Sequence, residues 1–235
     1  MKDLASSLSA LLNVIAPRRC LICSLFLSHP LVPVPETGGL KDYLCPLCLN
    51  MLKVCEPGSN SVQCVPIDRV FSGYQYAGAM ARIIPAWKYH RRNEFFPLIE
   101  TLVHLIIPRL RLSELDFDLV LSIPLSRSGL RKRDFNQALF IASCSAAALN
   151  LPLVCHQLVK DINTPQQASL NRSARAHNLS ADTFRILDRE VVVGRKIMLC
   201  DDVLTTGATL KAAAATLKNA GAVSISALTL ARVEL

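Results

Sequence analysis

The 235-residue chain is 51% apolar and 19% charged, enough to bury a substantial core and unlike an extensively disordered protein. Its net charge of +8 is uneven: residues 1–65 carry five Lys/Arg against four Asp/Glu, residues 66–235 twenty-one against fourteen. The basic excess of the larger part suits a polyanionic ligand or nucleic acid, with solubility the plainer reading.

In Met1–Pro17, Leu8, Leu11, Leu12 and Ile15 fall on one helical face. Ser6, Ser7, Ser9 and Asn13 break the apolar stretch, and no convincing cleavage site precedes Arg18-Arg19. The segment reads as a short amphipathic helix rather than a signal peptide. No stretch has the roughly 18 consecutive apolar residues of a membrane span. The expectation is a soluble, cytoplasmic protein without membrane insertion.

Six of the nine cysteines lie in residues 20–64. Four form two C-x-x-C knuckles, Cys20/Cys23 and Cys45/Cys48, separated by twenty-one residues. The spacing is close to that of a four-thiolate zinc site, in which each knuckle aims two sulfurs at one tetrahedral ion. Four thiolates would close the coordination shell, so the expected Zn²⁺ is structural. A redox dithiol is the competing reading. His29 reads as a loop residue. Cys55 and Cys64 read as remnants of a second site or as buried thiols, and Cys144, Cys155 and Cys200 as core.

From Asp68 the pattern becomes α/β. Val70–Tyr76 alternates like a strand, and Ala79–Tyr89 and Phe95–Leu110 are helical by periodicity, with Pro85 a possible kink. Trp87 and Tyr89, beside Arg91 and Arg92, read as core aromatics or as a base-stacking platform. Asp118–Ile123 is a short apolar strand that runs into a basic stretch with Arg127, Arg131, Lys132 and Arg133. Asn136 and Gln137 then open a helix over Ala138–Ala148. Residues 163–179 are polar, and Gln166, Gln167, Asn171, Arg172 and Arg175 could reach the acceptor side of a pocket. His177 is a candidate general base by elimination alone.

The most informative stretch comes last. The apolar run Lys196–Cys200 ends in Asp201 and Asp202, followed by Thr205, Thr206, Gly207, Ala208 and Thr209 and an Ala-rich helical pattern over Leu210–Asn219. Ligands bind beyond the carboxyl ends of parallel strands, and a turn opening a helix offers unpaired N–H groups to a phosphate. Gly207 permits close backbone approach, and the threonines add hydroxyl donors. The carboxylates suit sugar hydroxyls, a metal or developing positive charge.

This element resembles the signature of the type I phosphoribosyltransferases, which bind phosphoribosyl pyrophosphate (PRPP). The resemblance implies that Asp201 and Asp202 meet the ribose hydroxyls and that Thr205–Thr209 hold the 5′-phosphate. With PRRCLIC, FSGYQYAGAMARIIPAWKYHRRNE, SIPLSRSGLRKRDFNQA and TPQQASLNRSARAHNL, the order of motifs over residues 17–232 is similar to that of the ComF competence-protein family. Two departures stand out. Asp134 replaces the family's usual Gly and adds a negative charge to an anion-binding loop, and a second set of paired cysteines after Cys48 is missing.

The family resemblance implies a type I phosphoribosyltransferase-like, mainly parallel twisted α/β sheet over 66–235 and a zinc-ribbon module over 1–65. It implies PRPP or ribose-5-phosphate as ligand, with Mg²⁺ bridging pyrophosphate and ribose oxygens. Arg127, Arg131, Lys132 and Arg133 would then form a lid over pyrophosphate, or remain a solvated loop. The resemblance also implies a role with incoming single-stranded DNA in natural transformation. Ribosyl transfer to an acceptor and a scaffold docking other competence proteins are the alternatives.

Overall fold

The computed structural model describes residues 18–27, 39–56, 65–89, 92–125, 129, 135–160 and 183–234. The expected helix over 1–17 lies outside them. So do Cys64, His90, Arg91, Asp134, His177, the polar run 163–179 and all four of Arg127, Arg131, Lys132 and Arg133. By contact, the described residues of Met1–Lys53 and Ala77–Thr101 form one compact unit, and those of Val54–Tyr76 and Leu102–Leu235 a second.

In the first unit, two sequence-distant pieces come together. The segment around the cysteines has a 3-10 turn at Leu40–Asp42 and a short helix α1 (Pro46–Asn50). The helix α2 (Met80–Tyr89) buries Met80, Ile83, Ile84 and Trp87, the spacing of a single apolar face. Trp87 is 1% exposed and stands edge-on to Phe96, ring centroids 6.0 Å apart. It is a core residue, not a stacking platform. The next helix, α3 (Phe95–Arg109), buries Leu98 and Ile99 in this unit, while its residues from Leu102 on, including the buried Leu102, Val103 and Ile106, belong to the second.

The second unit is built on a four-stranded sheet of β1 (Arg69–Gln75), β2 (Leu119–Ser122), β5 (Lys196–Leu204) and β6 (Ser224–Arg232), ordered β1-β6-β5-β2 and parallel throughout. The mainly parallel α/β expectation is met. Two further short strands, β3 (Leu158–Lys160) and β4 (Phe184–Ile186), pair antiparallel. Helices α4 (Gln137–Leu149) and α5 (Ala208–Asn219) complete the unit.

Why α5 packs is plain from its composition. Leu210, Ala213, Ala214 and Leu217 are buried, and the alanines let its backbone lie close to Ile197 and Leu199 of β5 and Ile225 and Ala227 of β6. Strand residues alternate between faces, so Cys200 points away from α5. Its thiol meets the Ser145 hydroxyl of α4, and complete burial pushes it well above its usual range. Asn136 fixes the start of α4 twice. Its side-chain oxygen accepts the Ala138 N–H at 3.0 Å, and its amide donates to the Ile123 carbonyl at 2.9 Å. That ties the end of β2 to the first turn of the helix.

Two expectations are corrected. Cys155, read as core, is exposed. The stretch after Gly221, to which no strand had been assigned, forms β6, one of the two central strands of the sheet.

Candidate functional site

Strand β5 does not stop at the apolar run. It continues through Asp201 and Asp202 to Leu204, held in register by Asp201 opposite Thr229 and Leu204 opposite Arg232. Both carboxylates are half-buried near the carboxyl end of a central strand. By alternation Asp201 shares the face of Leu199 and Asp202 that of Cys200. The Asp201 Oδ1 accepts the Asp202 N–H at 2.8 Å, which orients one carboxylate.

The chain then turns. Thr205 and Thr206 are exposed, and Gly207 is the buried N-cap of α5 at φ +73°, a left-handed conformation. A Cβ there would touch nothing closer than Leu204 Cδ1 at 3.4 Å, so the backbone angle, not space, calls for glycine. The Thr206 Oγ1 accepts the Ala208 N–H at 3.4 Å. The first turn of α5 has no acidic residue, so no carboxylate of that turn offsets the positive end of the helix dipole. An external anion can do so.

A cavity of about 510 Å³ lies against this turn. Thr205, Thr206, Gly207, Lys211, Arg232 and Glu234 line its polar side, Ile67, Val70, Leu204, Leu210 and Val233 the apolar side. Lys211 and Arg232 were not singled out from the sequence. Lys211 had a readable signal: a cation one turn into a helix, where carboxylates are the usual choice. Arg232 had none, because its strand went unread. Asp201 and Asp202 do not line this cavity, so the carboxylates and the cavity flank the turn separately.

The four knuckle cysteines converge. The sulfurs of Cys20, Cys23, Cys45 and Cys48 all lie within 4.8 Å of one another, with Cys23 and Cys45 at 3.6 Å. A Zn–S bond of about 2.3 Å gives a tetrahedron edge of about 3.8 Å, so the donor set fits one zinc. The first knuckle is a tight hairpin. Cys20 N–H donates to the Leu25 carbonyl, Leu27 N–H to that of Arg18, and Arg19 bridges Phe26. In the second, Cys45 is the N-cap of α1 and Pro46 its first residue. Burial raises the Cys48 thiol, and the other three sulfurs push it further. For Cys20 burial is outweighed by backbone N–H groups, and the thiol is lowered to about 7. Four thiols this close cannot all ionise without a cation among them. Cys55 is a buried thiol of the second unit, its N–H on the Gly73 carbonyl, and takes no part in the cluster.

Arg92, one of the basic pair considered for nucleic acid, sits in the cysteine-bearing unit. Its guanidinium bonds Glu94 at 2.7 Å and the Leu21 carbonyl of the first knuckle at 3.3 Å, and lies over the Phe95 ring. It braces the knuckle. His104 is exposed on α3.

Residues 136–234, from the α4 cap to two residues past β6, match the phosphoribosyl transferase domain family. This stretch is similar to phosphoribosyl transferase domains, and the chain resembles proteins of the ComF type. It is 27% identical over 169 residues to the DNA utilization protein YhgH of Escherichia coli K12, covering 71% of this chain and 73% of that one. It is 34% identical over 111 residues to the competence protein ComFC of Bacillus subtilis, covering 47% of this chain and 42% of ComFC. Among solved structures, it overlays the allosteric regulatory enzyme of purine biosynthesis with a TM-score of 0.42 at 18% identity, over 61% of this chain and 29% of that enzyme. The phosphoribosyl transferase match takes in Asp201, Asp202 and the turn but stops short of both knuckles and the basic stretch. No helix among the described residues is long and apolar enough to cross a membrane.

Proposed function

We propose that this ComF-like protein binds PRPP at the β5–α5 junction and acts with incoming single-stranded DNA in the cytoplasm. The observation that carries the first half is the continuity of β5 into the helix opening. One strand carries two carboxylates near its carboxyl end, and three residues beyond its last residue the backbone turns into a glycine-capped helix whose first turn has no acidic residue. A sugar phosphate matches that sequence of groups: hydroxyls for Asp201 and Asp202, an anion for the N–H groups and hydroxyls of Thr205–Thr209. Arg127, Arg131, Lys132 and Arg133 would take the pyrophosphate. The second half draws support from the relatives, named for DNA utilization and competence, and from the net charge of +8.

Cys20, Cys23, Cys45 and Cys48 would hold a structural Zn²⁺ whose role is to fold the knuckles. Asp201 and Asp202 offer the oxygen donors that suit Mg²⁺, most of whose shell would come from the substrate and water. When bound, Mg²⁺ would neutralise pyrophosphate charge.

A second reading is turnover. Breaking the C1–O bond of PRPP gives the ribose oxocarbenium character, and two carboxylates beside the sugar would favour it. Binding and turnover share one site, so one experiment separates them. Calorimetry with PRPP and Mg²⁺ should show binding that Gly207→Val abolishes, and a pyrophosphate-release screen over candidate acceptors reads turnover. A folded protein that takes up no PRPP would end both readings.

A further inference from the structure

We infer that the exposed face of the first cysteine knuckle, built on Arg19 and Phe26, is a contact for single-stranded DNA; this rests on the DNA half of the proposed function and deepens it.

Phe26 is 53% exposed although it lies within a hairpin closed by three backbone hydrogen bonds, Cys20 to Leu25, Ser24 to Cys20 and Leu27 to Arg18. The Arg19 guanidinium stacks on the ring, 4.0 Å from its centroid. Its other contact is a bond to the Ser24 carbonyl at 3.2 Å. The neighbouring Arg18 differs: it is neutralised by Asp42 at 3.0 Å. Among the described residues, Arg19 thus has no acidic partner, and its charge is presented on an aromatic face.

The pair is also rigid. Arg19 and Phe26 face each other across an antiparallel bridge, flanked by the Cys20–Leu25 and Leu27–Arg18 backbone bonds. Arg92 holds the loop from behind through the Leu21 carbonyl. An exposed ring held in place by cation and backbone costs little further entropy on binding.

Single-stranded nucleic acid asks for these two elements: a π-face for a base and a cation for the neighbouring phosphate. Duplex DNA keeps its bases stacked and cannot use the ring. A protein partner could use the ring but has no general need of an unneutralised guanidinium beside it.

The test uses the full-length, zinc-loaded protein and a labelled oligothymidine, read by fluorescence anisotropy across a salt series. Phe26→Ala should weaken binding by about 5- to 150-fold and leave the salt slope unchanged, because a stacked base is lost and no charge. Phe26→Leu keeps apolar volume in the hairpin and should weaken binding similarly, and Phe26→Trp should restore it. Arg19→Ala should flatten the slope of log affinity against log salt by about 0.7. PRPP binding should stay unchanged in all four variants. If Phe26→Leu binds oligothymidine as the wild type does, the knuckle is not the contact, and the inference falls alone. If the wild type fails to bind at low salt, the DNA half of the proposed function falls with it, and PRPP binding stands or falls on its own titration.

Discussion

Asp68 and Ile225 clasp each other at the foot of the sheet. The Asp68 carboxylate accepts the Ile225 N–H at 2.7 Å, and the Asp68 N–H donates to the Ile225 carbonyl at 2.8 Å. Asp118 and Lys196 repeat the arrangement between β2 and β5, at 2.7 and 2.8 Å. Each aspartate precedes an edge strand and satisfies an N–H at the start of a central one, the second of β6 and the first of β5. The parallel sheet is thereby started in register at both edges.

The first clasp has a pH signature. Burial opposes ionisation of Asp68, but the Ile225 N–H and the Lys218 ammonium at 3.0 Å outweigh it and hold the carboxyl below its usual range. A carboxyl lowered on folding contributes stability above its unfolded pKa, and the contribution is lost as pH falls through the folded one. The side chain is 46% exposed, so solvent screening keeps the ion-pair part to about 1 kcal/mol or less. Asp68→Asn should lower the urea midpoint at pH 7 and lose its effect at acid pH; an equal deficit at both would deny the charge a part.

Gly207 makes a prediction with a built-in control. Gly207→Ala should cost about 1–2 kcal/mol of stability, the usual penalty for a left-handed residue with a Cβ. Gly207→Asn should recover part of it, since Asn tolerates that conformation. If the turn holds phosphate through close backbone approach, Asn should rescue the fold and not PRPP affinity. Recovery of both would leave backbone strain as the sole role of the glycine.

The two carboxylates should be sensitive to the sugar. Asp201→Asn with Asp202→Asn should weaken ribose-5-phosphate binding more than that of inorganic phosphate, which has no hydroxyls for them. Competition titrations of both ligands on one preparation read the difference. Equal losses would assign the pair to structure.

Metal content tests the knuckles. The purified protein should carry about one Zn²⁺ per chain, and structural zinc in small modules is worth roughly 10–16 kcal/mol of apparent binding free energy. Cys45→Ser should release the metal and unfold both knuckles while the parallel sheet keeps its cooperative transition. Zinc-free protein with unaltered knuckle mobility would refute the assignment.

Gly73 is set by packing. A Cβ there would lie 2.6 Å from Ile106 Cγ2 and 3.2 Å from the Leu230 carbonyl, so α3 rests directly on the β1 backbone. Gly73→Ala should destabilise by about 1–3 kcal/mol, read by urea unfolding. Unchanged stability would mean that α3 yields.

How much of this was legible follows from what each element had to hide. The β5–α5 junction was readable because its chemistry is local: apolar run, carboxylates, hydroxyls, glycine and helix follow one another within about twenty residues. The cysteines were readable because their spacing carries the geometry. β6 was not. Its Ser226 and Thr229 look solvent-facing in a sequence, yet both are buried, and Thr229 bonds the Ser72 hydroxyl at 2.8 Å on the adjacent strand. A small hydroxyl satisfied across a ladder looks the same in sequence as one facing water. Cys155 failed for the opposite reason: apolar neighbours suggested burial, and the chain there runs along the surface.

The position of β6 has a consequence for synthesis. It is made after every other described strand of the sheet, yet among the described strands it is the one that β1 pairs with, through partners about 157 residues further along. A nascent chain must therefore carry β1 without a mate through most of translation, and the inner edge of β5 stays open as well. Pairing this distant is slow to form and exposes strand edges to other chains meanwhile. A ribosome stalled between Gly221 and Arg232 would release a chain with its sheet split down the middle. Such a product should depend on chaperones and be cleared by proteolysis, even though every residue of the acidic pair and the threonine turn is present in it.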